Sequence, residues 1–323
     1  MDNRLLTYLE SSFLGELLKQ DDVTDISYNG KFFFYMSNKF GRKKANIEVE
    51  DNKIMEFLRQ IANLSENQFS YSEPNMDFSV GKYRINAVHN SIGRFKDKKV
   101  FTFVIRIGSE KNRIEDDKNF IDKKGLALIQ NMIDNNESII IAGSTGTGKT
   151  EFQKYLLSLL KANTRVIVID NVQELECLRE YEDLDLTSWQ VKQDSYDRSF
   201  ESLMRIALRS NPDWLIIAES RGKEMSDILL SVMSGHPLIT TLHAYSLEEV
   251  PHRITSLVQQ KNENQKYEDI YRDVTSHIKN YVYLSRRIDS KGQVVRYVRA
   301  IGTIDEKTRE IKTLYERTKY EKD

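Results

Sequence analysis

The sequence predicts an α/β protein of two domains. The N-terminal one is α+β, helices on an antiparallel sheet, and the C-terminal one carries a mainly parallel sheet. Three observations predict this. From residue 119 onward, short runs of apolar β-branched residues alternate with helical patterns, which implies crossover units whose strands are covered on both faces. Before residue 110, strand-like runs are separated by turn signals such as Asn29-Gly30, the spacing of an antiparallel meander. Between them Ser109 to Lys124, SEKNRIEDDKNFIDKK, is dense in charge and poor in apolar side chains, as an exposed linker is. The divisions read as 1–110, a linker at 111–118, and 119–323.

Composition sets limits. A chain of 323 residues is long enough for two cores. With 48 Lys and Arg against 49 Asp and Glu, the formal charge of −1 argues against a general nucleic-acid coat and makes direct nucleic-acid binding an unfavoured reading. The single cysteine, Cys177, excludes an internal disulfide and a cysteine-cluster zinc site within one chain, which suits a reducing cytoplasm. No apolar run approaches the roughly 20 residues needed to cross a bilayer. The start of the chain, interrupted by Arg4, Glu10 and Glu16, does not read as a signal peptide.

In chain order, Leu5, Leu9, Phe13, Leu14, Leu17 and Leu18 make one face of a helix, a face that packs on its own domain in the first reading and lies on a membrane or binds a partner in the alternative one. VTDISYNGKFFFYMSNKFG reads as a meander. Its aromatic run, Phe32 to Tyr35, reads as core strand, because a base-stacking platform interleaves Arg and Lys. DNKIMEFLRQIANLSE has helical period, and MDFSVGKYRINAVHN and KKVFTFVIRIG read as two strands joined by the basic loop SIGRFKDKK. In the second domain the helix GLALIQNMIDNN precedes the strand and loop SIIIAGSTGTGKT, and the helix TEFQKYLLSLLKA follows. RVIVID, DWLIIAES and PLITTLHA read as further buried strands, with a helix at SFESLMRIALRSN. The tail from NYVYLSRRID through REIKTLYERT reads as a small antiparallel appendage.

Gly143, Ser144, Thr145, Gly146, Thr147, Gly148, Lys149 and Thr150 fit G-x-x-x-x-G-K-[ST], the phosphate-binding loop. Small residues let backbone N–H groups converge on phosphate oxygens, and the following helix presents its positive end to the same anion. Lys149 would bridge the β and γ oxygens of ATP, and the Thr150 hydroxyl would ligate Mg2+ shared with the nucleotide. A flexible turn that matches by chance would need neither the apolar strand before it nor the helix after it. Hydrolysis also requires an acid at a neighbouring strand end, to hold the magnesium shell or polarise water. Glu219, after the apolar run LIIA, is so placed. Ligands of such sheets lie beyond the carboxyl ends of the strands, where Asp170, Glu219 and His243 all fall.

The chain resembles the secretion-traffic ATPases of type II and type IV secretion, type IV pili and Tad pili. Four boxes carry the resemblance in order: GSTGTGKT, the acidic VIVIDNVQELE, LRSNPDWLIIAESR, and the histidine box SGHPLITTLHA. VTDISYNG, GKYRINAVHN and FTFVIRIG add a likeness to the family's sensor-like N-terminal domain. The resemblance implies a RecA-like second domain, ATP and Mg2+ as ligands, and a hexameric ring. It further implies a location at the cytoplasmic face of the inner membrane, against an integral-membrane platform protein. It assigns Glu219 to activating water and to the metal, Asp170 and Glu174 to the acidic box, and His243, with His236 behind it, to sensing nucleotide. Arg84 and Arg106 would close over the phosphates, with Arg209 and Arg253 as further cations. Two departures stand out. Asp170-Asn171 replaces the family's Glu-Asp, and Gly222 follows Arg221 where the family often has an acid. A single cysteine removes the tetracysteine zinc site common in pilus motors, so the conjugation and Tad-like branch matches better. Two other readings remain at this stage: a ring translocase acting directly on nucleic acid, and a nucleotide-gated scaffold that binds without hydrolysing.

Overall fold

Alternation of buried apolar and more exposed residues along its central strands builds the first sheet. The computed structural model describes the chain except residues 1, 110–111, 116, 118, 171–174, 176–180, 182, 193–195, 221 and 318–323. It divides into two units, Met1–Glu110 with Ile288–Val294, and Lys111–Arg287 with Val295–Asp323. The first contains α1 (Asp2–Ser11), α2 (Gly15–Leu18), β1 (Val23–Tyr28), β2 (Phe33–Ser37), β3 (Gly41–Lys44), α3 (Asp51–Leu64), β4 (Asn75–Val80), β5 (Tyr83–Val88), β6 (Arg94–Phe95), β7 (Lys98–Lys99) and β8 (Thr102–Ile107). Its main sheet runs β3-β2-β1-β8-β5-β4 with antiparallel pairing throughout.

Ile26, Tyr83, Ile85, Phe103 and Ile105 point to one face and share a core with Leu5, Leu9, Ile54, Phe57 and Ile61 of the helices. Each buried aliphatic side chain contributes roughly 1.5–3 kcal/mol, and a slip of one residue would turn the whole set outward, so this face sets the register. Two elements differ from expectation. The N-terminal helix breaks after Ser11, where the Ser12 hydroxyl donates to Leu9 O at 2.7 Å and accepts from the Leu14 N–H at 3.2 Å, in competition with the helical ladder. MDFSVGKYRINAVHN is a hairpin, not one strand: β4 and β5 close at the Val80–Tyr83 pair, and Gly81 takes φ +51° there.

The second unit contains α4 (Lys123–Asp134), β9 (Ile139–Gly143), α5 (Lys149–Ser158), β10 (Arg165–Asp170), β11 (Asp185–Gln190), α6 (Phe200–Arg209), β12 (Trp214–Ile217), α7 (Met225–Met233), β13 (Leu238–Leu242), α8 (Val250–Gln259), α9 (Tyr267–His277), β14 (Asn280–Ile288), β15 (Val294–Ile304) and β16 (Ile311–Glu316). Its sheet runs β11-β10-β12-β13-β9-β14-β15-β16. The strands from β11 to β14 pair in parallel, and β15 pairs with β16 antiparallel. The tail strands therefore continue the main sheet, because β14 docks beside β9.

Successive residues of these strands feed opposite cores. Ile140, Ile167, Ile169, Leu215 and Ile217 join the side chains of α6 to α9, while Ile139, Ile141, Val166, Val168 and Ile216 join those of α4 and α5. Burial on both faces is why the strands read as unbroken apolar runs. Ile114 and Phe120, within the charged stretch that read as exposed, are buried in the second of these cores, with Phe120 5.3 Å from Phe152 between ring centroids. Asp122 then starts α4: one carboxylate oxygen accepts from the Gly125 N–H at 2.8 Å and the other from the Tyr315 hydroxyl at 2.9 Å. Burial and that bond push the Tyr315 phenol up to about 12.

Candidate functional site

Strand order lines up the chemistry. Along the carboxyl edge of the second sheet stand Asp170 at the end of β10, Glu219 after β12, His243 after β13 and the glycine loop after β9. Because β13 lies between β12 and β9, His243 is held between the acid and the loop.

The loop needs its glycines. Gly143, Gly146 and Gly148 have φ of +154°, +77° and +92°, conformations that L side chains rarely adopt. A Cβ at Gly143 would stand 2.6 Å from Leu284 O. Gly148 starts α5 with no side-chain cap, which leaves the helix's first N–H groups to an anion. Thr147 is buried and its hydroxyl donates to Ser144 O at 2.9 Å, bracing the loop from within. Lys149 is 8% exposed, and its Nζ donates to Gly143 O at 2.9 Å and Ser144 O at 3.1 Å. The same nitrogen lies 3.3 Å from Nδ1 of His243, whose Nε2 lies 2.9 Å from Oε1 of Glu219.

An ammonium only donates, so Nδ1 of His243 presents its lone pair to Lys149 and the ring proton of the neutral imidazole sits on Nε2, toward Glu219. The segment carrying Glu219 is laced to β13. Ser220 N–H donates to Thr241 O at 2.9 Å, the Thr241 hydroxyl donates to Ala218 O at 2.8 Å, and the Ser220 and Thr240 hydroxyls lie 3.0 Å apart. Beneath them Gln153 of α5, fully buried, donates from Nε2 to Ile217 O at 2.8 Å and to Ile239 O at 3.1 Å. The sequence reading missed Gln153 and Thr240. The signals were present in a polar residue on an apolar helix stripe and a Thr-Thr pair inside an apolar strand.

Asp170 is 1% exposed, and its Oδ2 accepts from the Leu175 N–H at 3.2 Å. Glu174, Asn171, Cys177 and Arg221 lie outside the described residues. His236 precedes β13 while His243 follows it, so the strand separates them by roughly 20 Å at about 3.3 Å per residue. His236 thus stands at the amino end, its Nδ1 3.3 Å from the Ser234 hydroxyl. Arg209 ends α6 just ahead of β12, at that same amino edge, and Arg253 lies in the first turn of α8. In the first unit Arg84 and Arg106 stand directly opposite one another on β5 and β8. Arg84 donates to both carboxylate oxygens of Asp77 at 3.2 and 3.1 Å, and Nε of Arg106 lies 3.6 Å from Oδ1 of Asp25. Exposed pairs of this kind are worth about 0–1 kcal/mol, so little opposes their exchange for another anion.

These features fit a nucleotide triphosphate: a glycine cradle, an uncapped helix start, a lysine among exchangeable carbonyls, and an acid and histidine on adjacent strands. No group of three His, Cys, Asp or Glu side chains that could hold a metal ion occurs among the described residues. Among the described residues no helix is long and apolar enough to cross a membrane.

The family described as "Type II/IV secretion system protein" matches residues 84–312. An uncharacterised protein of Bacillus anthracis is 30% identical over 92% of this chain and 70% of its own length. The type IV secretion system protein VirB11 of Brucella suis is 30% identical over 49% of this chain, and the match spans 47% of that protein. The structure of the ATPase DotB of Legionella pneumophila is similar in fold, with a TM-score of 0.64 at 19% identity, covering 92% of this chain and 81% of that one.

Proposed function

The chain belongs to the type II/IV secretion system protein family, and from that premise we propose that it is a magnesium-dependent ATPase. It would work as a hexameric ring motor of a secretion, conjugation or pilus-assembly machine. ATP occupies the loop from Gly143 to Thr150. Its phosphate oxygens would compete with Gly143 O, Ser144 O and Nδ1 of His243 for Lys149 Nζ. Thr150 and Glu219 would hold a magnesium ion, which would neutralise charge on the phosphates. Glu219 orients and deprotonates the attacking water, and His243 sets the carboxylate's position and reports the state of the phosphate end. Asp170 and Glu174 order the acidic side of the site. Arg84 and Arg106 neutralise charge on the transferred phosphoryl group. The ring lies on the cytoplasmic face of a membrane against an integral platform protein, and hydrolysis moves one domain against the other.

The observation that carries this reading is the unbroken contact from Lys149 through His243 to Glu219, which joins the phosphate loop to the acid. Phosphate release by the purified chain with Mg-ATP tests it. Lys149→Ala should abolish turnover and ATP binding. Glu219→Gln should keep binding while turnover falls roughly 10²–10⁴-fold, the range for a lost general base. A Lys149→Ala protein that hydrolyses ATP as fast as wild type would end the proposal.

A further inference from the structure

The C-terminal strands bring two arginines to the phosphate loop. β14 runs parallel to β9 with Leu284 opposite Gly143, so Arg286, two residues on and on the same face, overhangs the loop where it leaves β9. A Cβ on Gly146 would stand 3.0 Å from Nη1 of Arg286, which marks how closely the guanidinium covers the loop backbone. Arg286 is exposed and makes no hydrogen bond or ion pair among the described residues. From β15, Nε of Arg296 donates to Gly146 O at 2.8 Å, and a Cβ on Gly148 would stand 3.5 Å from its Cδ.

The two contacts do different things. A trans peptide points its carbonyl and the following N–H in opposite directions, so Arg296, by holding Gly146 O, turns the Thr147 N–H away from itself. A bond to a charged donor is about twice as strong as a neutral one, enough to hold that plane in a glycine-rich loop. Arg286 has no acceptor among the described residues, yet it stands beside a loop that already carries the Lys149 ammonium. Like charges gathered around one loop repel until an anion joins them.

We propose that Arg286 and Arg296 belong to the polyphosphate site of their own chain, Arg286 as a ligand of the bound nucleotide's phosphates and Arg296 as a positioning residue for the Gly146–Thr147 peptide. The proposal rests on the nucleotide reading above. It adds to it a phosphate-binding function for strands that follow all four of the sequence boxes.

Isothermal titration of the full chain with the nonhydrolysable analogue AMP-PNP and magnesium tests it, with apo thermal unfolding as the fold control. Loss of a charge-assisted contact should weaken binding roughly ten- to a hundredfold in Arg286→Gln, and Arg286→Lys should recover most of the loss. Arg296→Gln should weaken binding by a smaller factor, restored by Arg296→Lys, which keeps a donor for Gly146 O. Wild-type affinity in both glutamine variants, while Lys149→Ala loses binding, would overturn this inference and leave the nucleotide reading standing. Wild-type affinity in Lys149→Ala would overturn both.

Discussion

Nζ of Lys149 and Nδ1 of His243 lie 3.3 Å apart, and the same Nζ donates to two loop carbonyls, Gly143 O and Ser144 O. An arriving phosphate oxygen competes with these acceptors for the ammonium. If His243 is displaced, the far side of the ring, 2.9 Å from Glu219, feels the exchange directly. Nucleotide arrival and the position of the acid are thus linked through one imidazole.

This linkage predicts how His243 variants behave. His243→Ala removes the 2.9 Å contact to Glu219, so kcat should fall about ten- to a hundredfold, the range for losing a close contact to a charged group. KM should change much less, because Lys149 keeps its loop partners. His243→Gln, with an amide oxygen for Lys149 and an amide nitrogen for Glu219, should retain more activity than the alanine variant. Equal kcat in all three proteins would remove His243 from the mechanism.

Asp170 offers a second test, because its buried carboxylate accepts from the Leu175 N–H. Asp170→Asn keeps an acceptor for that bond but removes the charge. Asp170→Ala leaves the N–H without this acceptor, at a cost of about 1–3 kcal/mol. If the charge serves the metal shell, the asparagine variant should match wild type in thermal unfolding while losing most of its turnover. Asp170→Glu asks the complementary question in single-turnover experiments. A large gain in rate would show that the natural Asp-Asn pair limits hydrolysis and favour a nucleotide-gated scaffold.

The elements that sequence made legible are those whose chemistry is local. The loop from Gly143 to Thr150 is recognisable because glycine φ values, a lysine and a hydroxyl must follow one another closely. Buried strands such as Ile139–Gly143 and Trp214–Ile217 are recognisable because both faces are covered. Glu219 and His243 could be placed at strand ends, but their contact depends on β13 lying between β12 and β9, a pairing between residues far apart in sequence. The same non-local pairing hid Arg286, which looks like a surface cation on an alternating strand until β14 is seen beside β9. At Gly81 the difficulty was local: the apolar positions step by two from Met76 to Val80 and from Tyr83 to Ala87, and only the single three-residue step between them breaks the pattern at the turn, so the hairpin read as one strand.

The pH dependence of the first unit follows from His89. Its ring meets the edges of Phe69 and Phe101 at 5.3 and 5.0 Å, and its Nδ1 accepts from the Ser91 N–H at 3.1 Å, which requires that nitrogen to be unprotonated. Burial first, and then the nearby Arg59 charge, hold its pKa below the ordinary histidine value. The unfolded chain therefore takes up the proton first as pH falls. The contribution of His89 to stability is complete above about pH 6.5 and is lost as pH falls toward the lowered folded-state value. Chemical unfolding at pH 8 and pH 5.5 should show wild type losing more stability on acidification than His89→Gln. Equal losses would place the acid sensitivity elsewhere.

Gln153 ties the helix that starts at Lys149 to the strands that lead to Glu219 and His243, and two opposed terms set the effect of its removal. Gln153→Met nearly conserves volume but deletes the donors to Ile217 O and Ile239 O, each bond worth about 0.5–1.5 kcal/mol. It also deletes Oε1, a buried acceptor with no partner among the described residues, and so relieves a desolvation cost of about 1–3 kcal/mol. The terms nearly cancel, so the variant should unfold within about 1 kcal/mol of wild type. Function has no such compensation. With the tether gone, α5 and the strands can shift relative to one another, and misplacement of a reacting group by about 1 Å can cost 10²-fold in rate. A Gln153→Met protein of near-normal stability and sharply reduced kcat would show that this buried amide aligns the site. If stability fell by several kcal/mol while kcat per folded molecule stayed at the wild-type value, Gln153 would be a packing residue alone.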